Sequence, residues 1–106
     1  METIVLKLDS QKLDNPDLDI IYCLPKRLEE YSNMKIKDNG YDFLTDTEIG
    51  IWLETDNSEE MYPCIIELLQ KEQFCNNDLS NSVEIFISLQ NCAEIAKCRK
   101  VYPVES

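Results

Sequence analysis

The apolar positions of this chain follow two rhythms, and the order in which they alternate gives the first guide to its fold. From Thr3 to Leu8 the period is two: Ile4, Leu6 and Leu8 point one way, and Thr3, Val5 and Lys7 the other. This is a strand with one buried face. After Asn15-Pro16 the interval lengthens to three and four, through Leu18, Ile21, Tyr22, Pro25 and Leu28, which marks one helical stripe. Asn15 reads as an N-cap and Pro16 as the first helical residue, with Asp17 and Asp19 at the positive end of the helix dipole. Pro25 falls inside the stripe, where it kinks or breaks a helix. One bent helix to about Asn33 is expected, with a short strand from Ile20 to Cys23 as the alternative.

Met34 to Leu44 is strand-like but interrupted at Asp38-Asn39-Gly40, where Asn-Gly favours positive φ and predicts a bulge or tight turn. Glu48 to Thr55 is the clearest strand, with Ile49, Ile51 and Leu53 alternating against Glu48, Gly50, Trp52 and Glu54. Asp56-Asn57-Ser58 ends it and caps a second helix whose apolar face is Met61, Ile65, Leu68 and Leu69, with Glu59 and Glu60 in the first turn. Pro63 is early enough to be tolerated, and the helix fades near Gln73. Val83 to Leu89 returns to a period of two, with Val83, Ile85, Ile87 and Leu89 inside. In the tail, Gln90 to Pro103, Asn91 is a candidate cap for a short helix through Lys97.

Strand, helix, strand, strand, helix, strand is the order of an α+β sandwich of the ferredoxin-like, split βαβ kind. Both helices cover one face of a mainly antiparallel sheet. The other face is expected to be open and to carry Thr3, Val5, Lys7, Glu48, Trp52, Glu54, Glu84 and Phe86. A barstar-like α/β layer is the rival arrangement. At 106 residues the chain is expected to form a single globular domain, 1–106.

Charge changes the picture more than bulk composition does. Between Asp38 and Gln70 lie nine carboxylates and no lysine or arginine, so nine of the eleven excess negative charges sit in the middle third. One-signed surfaces steer and select oppositely charged partners. A pI near 4.3 argues against direct binding to nucleic acid or to an anionic membrane, both of which call for basic surface. Five cysteines, none in C-x-x-C spacing, with no histidine beside them, read as free thiols of a reducing compartment rather than a zinc site. The amino-terminal METIVLKLD is too short and too charged for a signal peptide, and no apolar run approaches membrane-spanning length. A cytoplasmic location is expected.

The lack of histidine also removes the commonest general base and the Ser-His and Cys-His nucleophile pairs. Two glycines cannot build a phosphate-cradling loop. Asp42, Asp46, Glu48 and Asp56 are close enough in sequence to suggest acid–base work or Mg²⁺ binding. However, no D-x-D-x-D-G loop occurs, and carboxylates on turns are ordinarily solvated surface. The expectation is no catalysis, no metal and no cofactor.

Binding is the stronger reading. Trp52 stands between Glu48 and Glu54 on the face away from the helices, where it either anchors a basic partner or packs on Phe86 or the tail. Tryptophan is enriched among interface hot spots. Tyr41, Phe43 and Tyr62 bracket the acidic segment and suit cation–π contact with lysine and arginine. The expected contact region is Asp42, Asp46, Glu48, Trp52, Glu54, Asp56, Glu59 and Glu60. The short basic cluster Lys97, Arg99 and Lys100 reads as a solvated edge or as a partner for the chain's own acids.

In size, acidity, free cysteines, absence of catalytic residues and the segment Tyr41-Asp-Phe-Leu-Thr-Asp-Thr-Glu-Ile-Gly-Ile-Trp-Leu-Glu-Thr-Asp56, the chain resembles the bacterial immunity proteins of polymorphic and contact-dependent growth inhibition toxin systems. The resemblance implies a cytoplasmic, non-catalytic inhibitor. It would bind a cognate toxin domain, in many cases a basic nuclease, and present carboxylates where phosphates would lie. A phage-type DNA mimic directed at a host nuclease is the alternative, and a small carboxylate-dependent enzyme a more distant one. Self-association as a homodimer through the open sheet face is a further expectation about partners.

Overall fold

The computed structural model describes residues 1–15 and 17–103. Strand β1 (Glu2–Asp9) leads to helix α1 (Ile20–Tyr31), the hairpin β2 (Ile36–Phe43) and β3 (Glu48–Thr55), helix α2 (Ser58–Lys71), strand β4 (Val83–Ser88) and a last strand β5 (Arg99–Tyr102). The sheet order is β2-β3-β1-β4-β5, with every neighbouring pair antiparallel. The first four strands and the two helices are the expected ferredoxin-like sandwich. Strand β5 is an addition beyond β4. No helix among the described residues is long and apolar enough to cross a membrane.

The two-residue rhythm does what it promised. Ile4, Leu6 and Leu8 join Ile49, Ile51 and Leu53 from β3 and Val83, Ile85 and Ile87 from β4 on one face of the sheet. Against them pack Leu24 and Leu28 of α1 and Ile65, Leu68 and Leu69 of α2. Nearly all these side chains are removed from water, and each contributes about 1.5–3 kcal/mol of transfer free energy.

Both helices are bounded by side-chain and backbone devices, but α1 begins later than expected. Pro16, expected at the first helical position, lies outside the described residues. Asn15 is not a cap: its backbone N–H donates to Asn77 Oδ1, and its own amide donates to the Cys75 carbonyl. The chain instead turns over Asp17 to Asp19 and enters the helix at Ile20. The buried stripe is therefore Ile20, Ile21, Leu24, Pro25 and Leu28, while Leu18 and Tyr22 are exposed. Pro25 removes one i→i−4 bond without ending the helix. At the far end Met34 N–H bonds Glu29 O and Asn33 N–H bonds Glu30 O, with Asn33 at φ 59°. This is a Schellman termination in which asparagine takes the left-handed position. Helix α2 follows the reading closely: Asn57 accepts from Glu60 N–H, and the Glu2 carboxylate accepts from both the backbone N–H and the hydroxyl of Ser58.

The tail departs from expectation. Only one 3-10 turn forms, Ile95–Lys97, and the chain then extends as β5 along the edge of β4. Alternating Val101 and Tyr102 suit an edge strand, and the Tyr102 hydroxyl donates to Ser80 O. Leu89 does not continue the buried row. Strand β4 stops at Ser88, Gln90 N–H bonds Ser88 Oγ, and Leu89 is left 75% exposed on the turn.

Candidate functional site

The second face of the sheet carries the expected residues but is not open. Residues 90–93 cross back over it. Thr3 Oγ1 donates to Gln90 O at 2.7 Å and accepts from Ala93 N–H at 3.2 Å. Trp52 Nε1 donates to Ala93 O at 2.9 Å. Asn39 at the β2 bulge donates to Cys92 Sγ at 3.3 Å. Thr3 and Val5 are consequently buried although they face away from the helices. The indole ring lies over Gly50, where an added Cβ would stand 2.5 Å from a ring carbon of Trp52. Trp52 thus packs on Gly50 and the tail, remaining partly exposed, and the bare surface on which self-association was premised is partly covered.

The rest of the face is a row of alternating charges across four strands. Glu48 of β3 meets Lys7 of β1 at 2.9 Å, Lys7 meets Glu84 of β4 at 3.8 Å, and Glu84 meets Lys100 of β5 at 2.8 Å. The row is electrically balanced. Glu48, and secondarily Glu84, hold the Lys7 ammonium above its ordinary pKa, and Lys100, with Lys7, holds Glu84 below the usual carboxylate value. Glu54 lies on the same face with Lys37 opposite it in the β2–β3 register.

The eight expected contact residues therefore do not form one patch. Glu48, Trp52 and Glu54 are on the partly covered face. Asp56, Glu59 and Glu60 are at the start of α2, at the far end of β3 from Asp46, about 25 Å along an eight-residue strand. There Glu59 pairs with Arg99, and Asp56 and Glu60 line a shallow cleft with Lys35. Asp42 and Asp46 are left on β2 and on the turn that follows it, both exposed.

That edge has a different character. β2 is the outermost strand, and all of it beyond Ile36 is exposed. The register slips by one residue between Asp38 and Tyr41, with Gly40 at φ 97° and its N–H bonded to Asp38 Oδ1. This is the bulge that Asn39-Gly40 predicted. Past it, Leu44 N–H bonds Glu48 O. By the alternation of an antiparallel pair, Tyr41 and Phe43 then turn their backbone groups outward. Their rings stack edge-to-face at 6.1 Å, and Tyr41 meets Tyr22 of α1 in the same way at 6.2 Å. Tyr22 is 63% exposed, Tyr41 44% and Phe43 54%. The neighbouring Tyr41 hydroxyl, with a smaller contribution from Asp19, holds the Tyr22 phenol above its ordinary pKa. Asp38 and Asp42 lie on the same strand and Asp46 on the turn after it, with Asp42 opposite Gly50 and so on the other face from Tyr41 and Phe43. Among the described residues none of the three takes part in an ion pair.

Tyr22, like Leu18 and Leu89, is exposed where the spacing predicts burial; its four-residue spacing from Leu18 counts toward a helix starting at Pro16, whereas the helix starts at Ile20 and buries Ile20, Ile21, Leu24, Pro25 and Leu28. Among the described residues no group of three or more Cys, Asp or Glu side chains is gathered to hold a metal ion. Comparison with protein-family models, curated proteins and solved structures returns no match.

Proposed function

We propose that this chain is a non-catalytic immunity protein that binds a cognate bacterial toxin domain with a basic surface, of the nuclease kind, and blocks it by occupancy. The observation that carries this reading is the β2 edge: three exposed rings, Tyr22, Tyr41 and Phe43, on an outermost strand and the helix beside it, with Asp38 and Asp42 on that strand and Asp46 on the turn that follows. Carboxylates alone on an edge strand have a sufficient role in preventing edge-to-edge pairing. The rings do not share that role. Held together in water, they contribute little to the fold, whereas against lysines and arginines they supply apolar area and cation–π contact. The surrounding carboxylates speed encounter with a basic cleft and reject acidic surfaces. No proton transfer or nucleophile is required of the inhibitor.

The test is co-expression with the product of the adjacent gene, then calorimetry of the purified pair. A stable complex is expected, weakening as salt rises because exposed charges are screened. Asp42→Lys with Asp46→Lys is expected to lower affinity by about a hundredfold, and Phe43→Ala by about tenfold or more. Absence of a complex, or one indifferent to both salt and these substitutions, rejects the reading.

A further inference from the structure

Away from the β2 edge, two cysteines 52 positions apart in sequence bring their sulfurs to 3.8 Å. Cys23 is on α1, and Cys75 is in the turn that follows α2. Both are partly exposed, and they share a cleft of about 350 Å³ with Lys26, Arg27, Glu72 and Phe74. Bonded sulfurs lie about 2.0 Å apart, so the pair has to close by less than about 2 Å.

The elements on both sides are pinned. Phe74 and Asn77 exchange both backbone hydrogen bonds, at 3.0 and 2.9 Å, around Cys75 at φ 51° and Asn76 at φ 63°. This is a type I′ turn, with two left-handed residues at its tip. Asn77 is buried, and its side-chain amide reads the Asn15 backbone in both directions, accepting from N–H at 2.8 Å and donating to C=O at 2.7 Å. Asn15 in turn donates to the Cys75 carbonyl at 3.0 Å. Across the cleft the Arg27 guanidinium grips Glu72 through two hydrogen bonds of 2.9 and 2.7 Å, joining α1 to the end of α2. The facing sulfurs are thus set by the fold rather than by a mobile loop.

We propose that Cys23 and Cys75 form a reversible dithiol–disulfide site, oxidised by low-molecular-weight disulfides, that cross-links α1 to the turn after α2. Cys23 thiolate attacks one sulfur of the small disulfide and expels one small thiolate, leaving a mixed disulfide on Cys23. Cys75 gives up its proton to water and attacks the Cys23 sulfur, expelling the second. Two protein thiols are oxidised and one small disulfide is reduced to two small thiols. The order of attack follows from the setting. Burial, then the Cys23 sulfur, then Asp17 and Asp19 push the Cys75 thiol up to about 11, so it keeps its proton at neutral pH. Cys64 and Cys98 lack a facing sulfur among the described residues, and burial raises both thiols. Cys92 is exposed and serves as an internal control for simple accessibility.

The experiment equilibrates the full chain with graded mixtures of glutathione and glutathione disulfide, traps free thiols by alkylation, and reads intact mass and peptide maps. Cys23 and Cys75 are expected to lose alkylation together, their peptides to be linked, and the link to reverse on reduction. The linked form is expected to unfold at a midpoint higher by roughly 10 °C, since the cross-link closes a long loop. Cys75→Ser should leave a glutathione adduct on Cys23 in place of the link, and Cys23→Ala should abolish the link with Cys75 still alkylated. The proposal is overturned if both residues alkylate fully at mixtures that modify Cys92. Separate adducts on each, or links joining other cysteines, overturn it equally.

Discussion

Two regions of one sheet carry acids from the same stretch of sequence and use them in opposite ways. Glu48 follows Asp42 and Asp46 by a few residues, yet it points to the face where β1, β4 and β5 supply Lys7, Glu84 and Lys100, and there it is one member of a balanced row. Asp42 and Asp46 lie on the outermost strand and its turn, with no strand beyond to bring them cations. Clustering in sequence is therefore a poor measure of clustering in space within a sheet. Register decides which carboxylates are answered by the fold and which are left for something else. The interior row with its covering tail is a stabilising device, whereas Asp42 and Asp46 at the β2 edge carry charge that no ion pair among the described residues answers. That contrast predicts how substitutions divide between stability and binding.

The largest expected effect is in the covered region. Trp52→Ala removes the ring that lies over Gly50 and orphans the Ala93 carbonyl, so the unfolding free energy should fall by about 3 kcal/mol in urea titration. Gly50→Val should do similar damage by driving a Cβ into the indole, with a loss of about 2 kcal/mol. Affinity for the partner at the β2 edge should survive both in the fraction that remains folded. A loss below about 1 kcal/mol for Trp52→Ala would mean that the tail is not held by this contact, and the contrast between the regions would weaken.

Next comes Asn77→Ala, with an expected loss of about 2 kcal/mol, because the buried amide satisfies both backbone groups of Asn15. Neither Asn15 nor Asn77 announced this role. The sequence made Asn15-Pro16 look like a helix start, which is a local signal, while the true partner is 62 positions away. The same limit explains the rest of what was and was not legible. Strands β1, β3 and β4, both helices and the β2 bulge were readable because each is written in local periodicity, caps or an Asn-Gly pair. Strand β5 was not, since a four-residue edge strand with one bulge has too little alternation to stand out. The face parity of Trp52 and Glu48 was correct, but their partners, Ala93 and Lys7, come from distant segments that no spacing rule connects. Of the expected contact residues, Asp42, Asp46, Asp56 and Glu60 are exposed and take part in no ion pair among the described residues, and Asp42 and Asp46 are the two on the β2 edge and its turn.

A smaller effect separates the charge row by its pH dependence. Lys100, with Lys7, lowers the folded pKa of Glu84, so its contribution to stability is present above the ordinary carboxylate range and is lost as pH falls through the lowered value. Glu84→Gln should therefore cost below about 1 kcal/mol at neutral pH, because the row is about a quarter exposed and screened. It should also flatten the decline of stability below about pH 4.5. An acid limb identical to that of the parent protein would show that the row adds nothing to the fold.

The smallest expected change in stability is also the one that most directly tests the contrast. Asp42→Lys with Asp46→Lys alters the net charge by four units, from −11 to −7, at two exposed positions with no ion pair to break among the described residues. If the fold makes no use of these charges, the unfolding midpoint in urea should move by no more than about 0.5 kcal/mol equivalent, with an unchanged slope. The direction, if resolved, should be slightly stabilising, since removing like charge from an acidic protein relieves self-repulsion. A loss above about 1 kcal/mol would show that Asp42 or Asp46 is engaged by the fold after all. The β2 edge would then belong with the charge row as part of the scaffold, and its exposed rings alone would have to account for any binding.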